Sequence, residues 1–137
     1  MKISTEIYEM LYVSTIAPAA CVSVVSTIAM KSRVSNALRS ITGMLVFDGI
    51  RFCQYLEGGK DELAILFERI SKDSRHAAVT MIHHGPLQNR RFKKFSLAFA
   101  TGDDFEALSR LEGLKGPCGV TAFSELLQTL DKEAQCC

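Results

Sequence analysis

The chain has 137 residues, 47% of them hydrophobic and 23% charged, with a net charge of +1. That is enough for one domain with a real core and a short appendage, and the composition is ordinary for a globular protein. The balanced charge recruits neither nucleic acid nor acidic lipid, and no apolar run approaches the length of a membrane-spanning helix, so neither is expected as a partner.

The five cysteines show no metal-ligand or redox spacing, and their odd number reads as free thiols in a reducing compartment. The N-terminus has one early lysine and no continuous apolar core, unlike a signal peptide. The expected location is cytoplasmic.

Taken in order, residues 9–16 (EMLYVSTI) read as a first strand closed by Ala17-Pro18, with Tyr12 on one face beside Met10 and Ser14. Residues 20–39 contain no Gly or Pro, and Cys21, Val24, Val25, Ile28 and Ala29 recur at helical spacing. Two apolar runs, 44–47 and 50–56, flank Asp48-Gly49, a hairpin signal that predicts a type I′ turn with both residues at positive φ. In the second run Phe52, Gln54 and Leu56 share one face, and Cys53 and Tyr55 share the other. Gln54 therefore lies between two large apolar side chains, where its amide must find a partner.

Residues 60–73 (KDELAILFERISKD) predict a second amphipathic helix with Leu63, Leu66, Phe67 and Ile70 on one stripe. A short strand is expected over 78–83, ended by Gly85-Pro86, and a fifth over 94–101. Beyond lie a short helix over 104–112, a Gly/Pro linker over 113–119 and a last helix over 120–134. Its stripe of Phe123, Leu126, Leu127 and Leu130 would pack on the open sheet face or form a dimer contact. The expected fold is α+β, a ferredoxin-like β-α-β-β-α-β-β with a five-stranded mixed sheet, two helices on one face and short C-terminal helices. The division is a main domain over 1–102 and a helical extension over 103–137.

Hydrolytic and metal chemistry find no support. His83-His84 would point to opposite faces of a strand, and no HxxxH, HExxH or CxxC occurs, so no metal is expected. There is no Gly-x-Ser-x-Gly elbow or phosphate-cradling glycine loop. Glu57 reads as a strand end. Arg90, Arg91, Lys93 and Lys94 read as a charged loop guarding a sheet edge. What remains is a polar set in apolar company: Tyr12, Asn36, Gln54, Asp73, Arg75 and His76. Each alone reads as an ordinary core, helix-end or surface residue. Together they can line one slot between the helices and the sheet, suited to a planar heterocycle with a carbonyl/N–H edge.

With its segments LYVS (11–14), SNALRSITGMLVFDG (35–49), FCQYLEG (52–58), DSRH (73–76) and RRFKKFSLAF (90–99), the sequence resembles the BLUF domain, a blue-light sensor that holds FAD between two helices over a five-stranded sheet. The resemblance covers residues 10–100 and implies FAD as cofactor. It also implies Tyr12 as the photoactive tyrosine, Gln54 as the switching glutamine and Asn36 as the amide on the flavin edge. Ile28, Arg69, Asp73, Arg75 and His76 match positions lining or near the flavin. In the mechanism it implies, blue light excites oxidised FAD, Tyr12 transiently gives an electron and a proton, and the hydrogen bonds around Gln54 rearrange to leave a red-shifted state.

Two positions depart from the family. Phe95 and Leu97 stand where a Trp and a Met are usual, which bears on signal relay. Tyr55, after Gln54, is a second candidate electron donor. The resemblance implies a photoreceptor; the residues after Ala100 are too few for an enzymatic domain, so no enzyme activity is expected, and output is expected through an unidentified downstream protein or a homo-oligomer. The competing expectations are a ferredoxin-like binding or assembly module without photochemistry and, less favoured, a flavin-dependent redox enzyme.

Overall fold

The computed structural model describes residues 7–16, 24–73, 76–99, 114, 116–128 and 131–132. Its elements are β1 (Ile7–Ile16), α1 (Val24–Leu38), β2 (Thr42–Phe47), β3 (Arg51–Gly58), α2 (Lys60–Lys72), β4 (His76–Leu87), β5 (Phe95–Phe99), α3 (Pro117–Leu127) and β6 (Asp131–Lys132). They form one sheet in the order β4-β1-β3-β2-β5-β6, in which β2 and β5 are parallel and the other neighbours antiparallel. This is the expected ferredoxin-like α+β arrangement, with a two-residue sixth strand added at the β5 edge.

Alternation along the strands divides the core in two. Met10, Tyr12, Leu45, Phe47, Phe52, Leu56, Phe95 and Leu97 face the helix layer and meet Ile28 and Ala29 of α1 and Leu63 of α2. Leu11, Val13, Met44, Val46, Cys53, Tyr55, Ile82 and Ala98 face the other way and meet Val120, Phe123, Leu126 and Leu127 of α3. Residues two apart share a face and adjacent residues do not, so each strand feeds both cores. The stripe on α3 thus packs on the sheet face left open by α1 and α2.

Several boundaries differ from expectation. In the β2–β3 turn, the Asp48 N–H donates to the Arg51 carbonyl (3.2 Å), so Gly49 and Ile50 are the central residues. Positive φ falls on Gly49 (102°) and not on Asp48. That is the glycine-first pattern of a II′ rather than a I′ loop. Asp48 instead accepts the N–H groups of Ile50 (2.9 Å) and Arg51 (2.6 Å) through its side chain.

Strand β4 continues through Gly85-Pro86. It lies at the sheet edge, where a residue without an N–H is tolerated. It also carries an irregularity opposite Val13–Thr15, next to Ala78 at φ 51°.

The last helix begins at Pro117, inside the expected linker, because proline suits the first helical turn. It ends at Leu127, and Asp131–Lys132 pairs with β5 as a strand. The expected helix over 104–112, the start of the first helix over 20–23 and Leu130 lie outside the described residues.

Gly43 holds β2 close to β3. With φ at 151°, a Cβ there would stand 1.9 Å from the Tyr55 carbonyl oxygen. Only glycine fits that approach without moving the backbone of the strand that carries Gln54.

Candidate functional site

A cleft of about 170 Å³ lies between α1, α2 and the sheet. Register explains how it is lined. Tyr12 on β1 and Leu45 on β2 are the cross-strand partners of Gln54 on β3, so all three project toward the helix layer from one row. Ile28, Ser32, Ser35 and Asn36 come from the inner side of α1, and Leu66, Arg69 and Ile70 from the last turns of α2. Asp73, at the α2 C-cap, and His76, at the start of β4, close one end. These spacings follow the 3.6-residue repeat of the helices and the alternation of the strands.

Tyr12 is fully buried, and its hydroxyl donates to Gln54 Oε1. Burial first, then the nearness of Cys53 and Asp73, raises the phenol well above its ordinary pKa, so it remains a neutral donor. The Phe67 ring stands edge-on to it, 5.8 Å between centroids. His76 meets Ser14 Oγ through Nδ1 at 2.8 Å and packs against the Phe52 ring.

Asn36 is 1% exposed, yet its side-chain Nδ2 has no hydrogen-bond partner. A buried amide N–H without an acceptor costs roughly 1–3 kcal/mol. That cost is removed by an acceptor in the cleft, such as the carbonyl edge of a planar ring. The cleft therefore pairs an unused donor on α1 with a phenol–amide pair on the sheet, separated by apolar walls from Ile28, Leu45, Leu66 and Ile70.

Of the residues singled out in the sequence, Tyr12, Ile28, Asn36, Gln54, Arg69, Asp73 and His76 all line this cleft. Arg75 lies outside the described residues. Lys31, Ser32, Ser35, Leu45, Leu66 and Ile70 line it too and were not singled out. Helical spacing from Ile28 and Asn36 points to the α1 members, and the hairpin register points to Leu45. Phe95 and Leu97 are buried on the helix side of the sheet without lining the cleft.

A second buried polar cluster occupies the opposite sheet face. Tyr55 donates to Glu9 Oε1 (2.8 Å) and lies 3.2 Å from Glu57 Oε2, and His83 Nε2 meets Glu9 Oε2 at 3.0 Å. Glu57 is fully buried. It accepts the Thr42 hydroxyl (2.8 Å) and the N–H groups of Arg91 (2.6 Å) and Phe92 (3.2 Å). Glu57 is thus an anchor and not merely a strand end. The Arg90–Phe92 segment wraps that anchor, with Arg90 donating to Thr42 Oγ1 and the Glu57 carbonyl, instead of guarding an edge. Tyr55 stacks on Phe123 of α3, so its hydroxyl is turned away from Gln54.

Known proteins share this fold. The structure aligns with the dark-state structure of BlrB, a BLUF protein, at a TM-score of 0.73 and 31% identity, covering 89% of this chain and 95% of that one. The photo-activated state of BlsA has the same fold, with a TM-score of 0.78 at 19% identity over 94% of this chain and 99% of that one. A photoactivated adenylate cyclase subunit beta of Euglena gracilis is 45% identical over 67 residues, 48% of this chain and 8% of that protein. The chain thus spans only a small part of the curated relatives it matches. The model of one family matches residues 7–98, which include every described cleft residue and both strands of the Tyr12–Gln54 pair: the chain belongs to BLUF, the sensors of blue light using FAD.

Proposed function

We propose that the cleft holds the flavin ring of FAD and that Tyr12 and Gln54 form its light-operated switch. The observation that carries the assignment is the buried, unpartnered Asn36 Nδ2 in the same cleft as the Tyr12–Gln54 hydrogen bond. A ring with a carbonyl edge gives that N–H its acceptor. Ile28, Leu45, Leu66 and Ile70 supply apolar walls, and Lys31 and Arg69 supply cationic groups in the same cleft for an anionic cofactor. Asp73 and His76 complete the set, and Arg75 is counted with them from the resemblance of the DSRH segment.

Bound oxidised FAD supplies the absorption of blue light and an electron acceptor. Tyr12 gives up one electron and its phenolic proton, and takes both back as the network settles. Its proton has an acceptor already in contact, Gln54 Oε1. An amide carries its acceptor oxygen and its NH₂ donor on one rotor, so rotation or tautomer exchange at Gln54 reverses the hydrogen bonds it offers without moving net charge. Because the pair is buried, that reversal carries a larger energy than it would in water.

Output passes to a partner protein or to a changed oligomer. Residues 1–102 form the sensor, and α3, within the extension over 103–137, packs on its open sheet face. The chain performs no turnover of its own. The cyclase activity named for the Euglena relatives is not carried over, because the match spans 8% of those proteins. The test is the visible spectrum of the purified protein before and after blue light. A yellow protein with a dark-reversible red shift supports the assignment. A colourless protein that does not take up added FAD overturns it.

A further inference from the structure

Phe67 of α2 packs on Tyr12 with 5.8 Å between ring centroids and 69° between ring planes. It lines no part of the cofactor cleft. It walls a separate cavity of about 280 Å³ instead, together with Met10, Leu63, Ala64 and Met81. Tyr12 lines the cleft and not that cavity, so Phe67 stands between the phenol ring and the open space. Within the sheet, Tyr12 is flanked by Gln54 on β3 and by Met81 on β4, where the register skips Ile82. Methionine is unbranched and adaptable, so it holds a neighbouring ring loosely. The rigid contact is the Phe67 ring.

A phenolic O–H lies in the plane of its ring, because the oxygen lone pair conjugates with the ring. The oxygen itself lies on the axis about which the ring turns. Turning the ring therefore leaves the oxygen in place and swings the proton. The torsion that turns a tyrosine ring has a broad minimum, so packing decides where the plane rests. We propose that Phe67 is a positioning residue for the light switch: it fixes the ring plane of Tyr12 and so aims the phenolic proton at Gln54 Oε1. The inference rests on the assignment of Tyr12 and Gln54 as the switching pair. Phe67 exchanges no proton or electron itself. A hydrogen bond weakens steeply as its donor turns away, and transfer along it needs the reacting atoms aligned.

The test uses the FAD-loaded protein with isotope-labelled tyrosines. NMR line shapes give a ring-flip rate for each of the three tyrosines, and Tyr12 is identified by the loss of its signals in Tyr12→Phe. Phe67→Leu should raise the Tyr12 flip rate about tenfold or more, because the close packing that hinders the ring is gone. Tyr55, on the other face of the sheet, is the internal reference, and its rate should not change. The same variant should take up FAD as the wild type does, since Phe67 does not line the cleft. Its yield of red-shifted state per absorbed photon should fall about threefold or more. Phe67→Tyr keeps the ring and should restore both readouts. Phe67→Met, which lacks a ring, should repeat the leucine result and takes its place if Phe67→Leu does not fold. An unchanged Tyr12 flip rate, an equal rise at Tyr55, or a wild-type yield in the ringless variants overturns the inference alone. A wild-type protein without any red shift overturns the light-switch assignment and this inference with it, so the two failures are told apart.

Discussion

Tyr12 and Gln54 stand directly opposite each other on β1 and β3, and the Tyr12 hydroxyl donates to the Gln54 side-chain oxygen. The contact joins residues 42 positions apart in sequence, inside a row that also contains Leu45. It is made by the sheet register, so it exists before any cofactor is considered.

Tyr12→Phe keeps the ring and its packing against Phe67 but removes the phenolic proton. It should bind FAD and show no persistent red shift after blue light. Gln54→Leu keeps approximate volume and removes the donor–acceptor rotor, with the same spectral result. Tyr55 is no substitute donor at this position, because its hydroxyl is bonded to Glu9 on the opposite face of the sheet. Absorption spectra recorded dark and lit on both variants check this, and a dark-reversible red shift in Gln54→Leu would sink the mechanism.

Asn36→Ala removes the one described buried side-chain polar atom that lacks a protein partner. If its N–H serves the flavin edge, the loss is roughly 1–3 kcal/mol, or about ten- to a hundredfold in FAD affinity. Titration of the apoprotein with FAD, followed by fluorescence quenching, measures it. Unchanged affinity would return Asn36 to a purely structural role.

The division of labour between the faces was legible in sequence because strands alternate. Phe52, Gln54 and Leu56 against Cys53 and Tyr55 is a two-residue period, and the structure follows it. The cleft could be assembled for the same reason, since helical spacing and strand alternation bring Tyr12, Asn36 and Gln54 together. Features set by tertiary context were not legible. Nothing local in Glu9 or His83 reveals that they meet across 74 positions, or in Glu57 that it accepts the N–H groups of Arg91 and Phe92, 34 and 35 positions on. Pro86 reads as a terminator, and only its place on an edge strand lets β4 run past it. The turn at Gly49 was misjudged because an Asp-Gly pair does not state which residue begins the loop.

Removal of α3 should expose the apolar face formed by Leu11, Val13, Cys53 and Tyr55. A chain ending at Gly102 should therefore aggregate or lose solubility. Phe123, 1% exposed and stacked on Tyr55, tests this less drastically. Phe123→Ala should cost about 3–5 kcal/mol of folding stability by chemical denaturation. A soluble, fully photoactive truncation that has changed from dimer to monomer would assign α3 to an interface.

The buried phenols make stability depend on alkaline pH. Tyr12 is raised chiefly by burial, and Tyr55 by burial, by its hydrogen bond to Glu9 and by the charges of Glu57 and Glu9. In the unfolded chain both lose their protons near pH 10, sooner than in the fold. Their contribution is therefore complete below about pH 10 and declines as pH rises beyond it. Denaturation midpoints between about pH 7 and 11 should fall only at the alkaline end, and Tyr12→Phe and Tyr55→Phe should each flatten that fall. The size of the light-induced red shift should stay constant between about pH 6 and 9, where the Tyr12 phenol remains protonated.

Gln54 and Tyr55 are neighbours in sequence on opposite sides of one strand. The cofactor cleft and the bed of α3 thus share a partition a single peptide thick. The two sides can be edited independently. A change at Tyr55 or Phe123 adds or removes no atom in the cleft. Any effect of such a change on colour or recovery rate must then have travelled through the backbone of β3, which makes that strand a place where mechanical transmission can be isolated from chemistry.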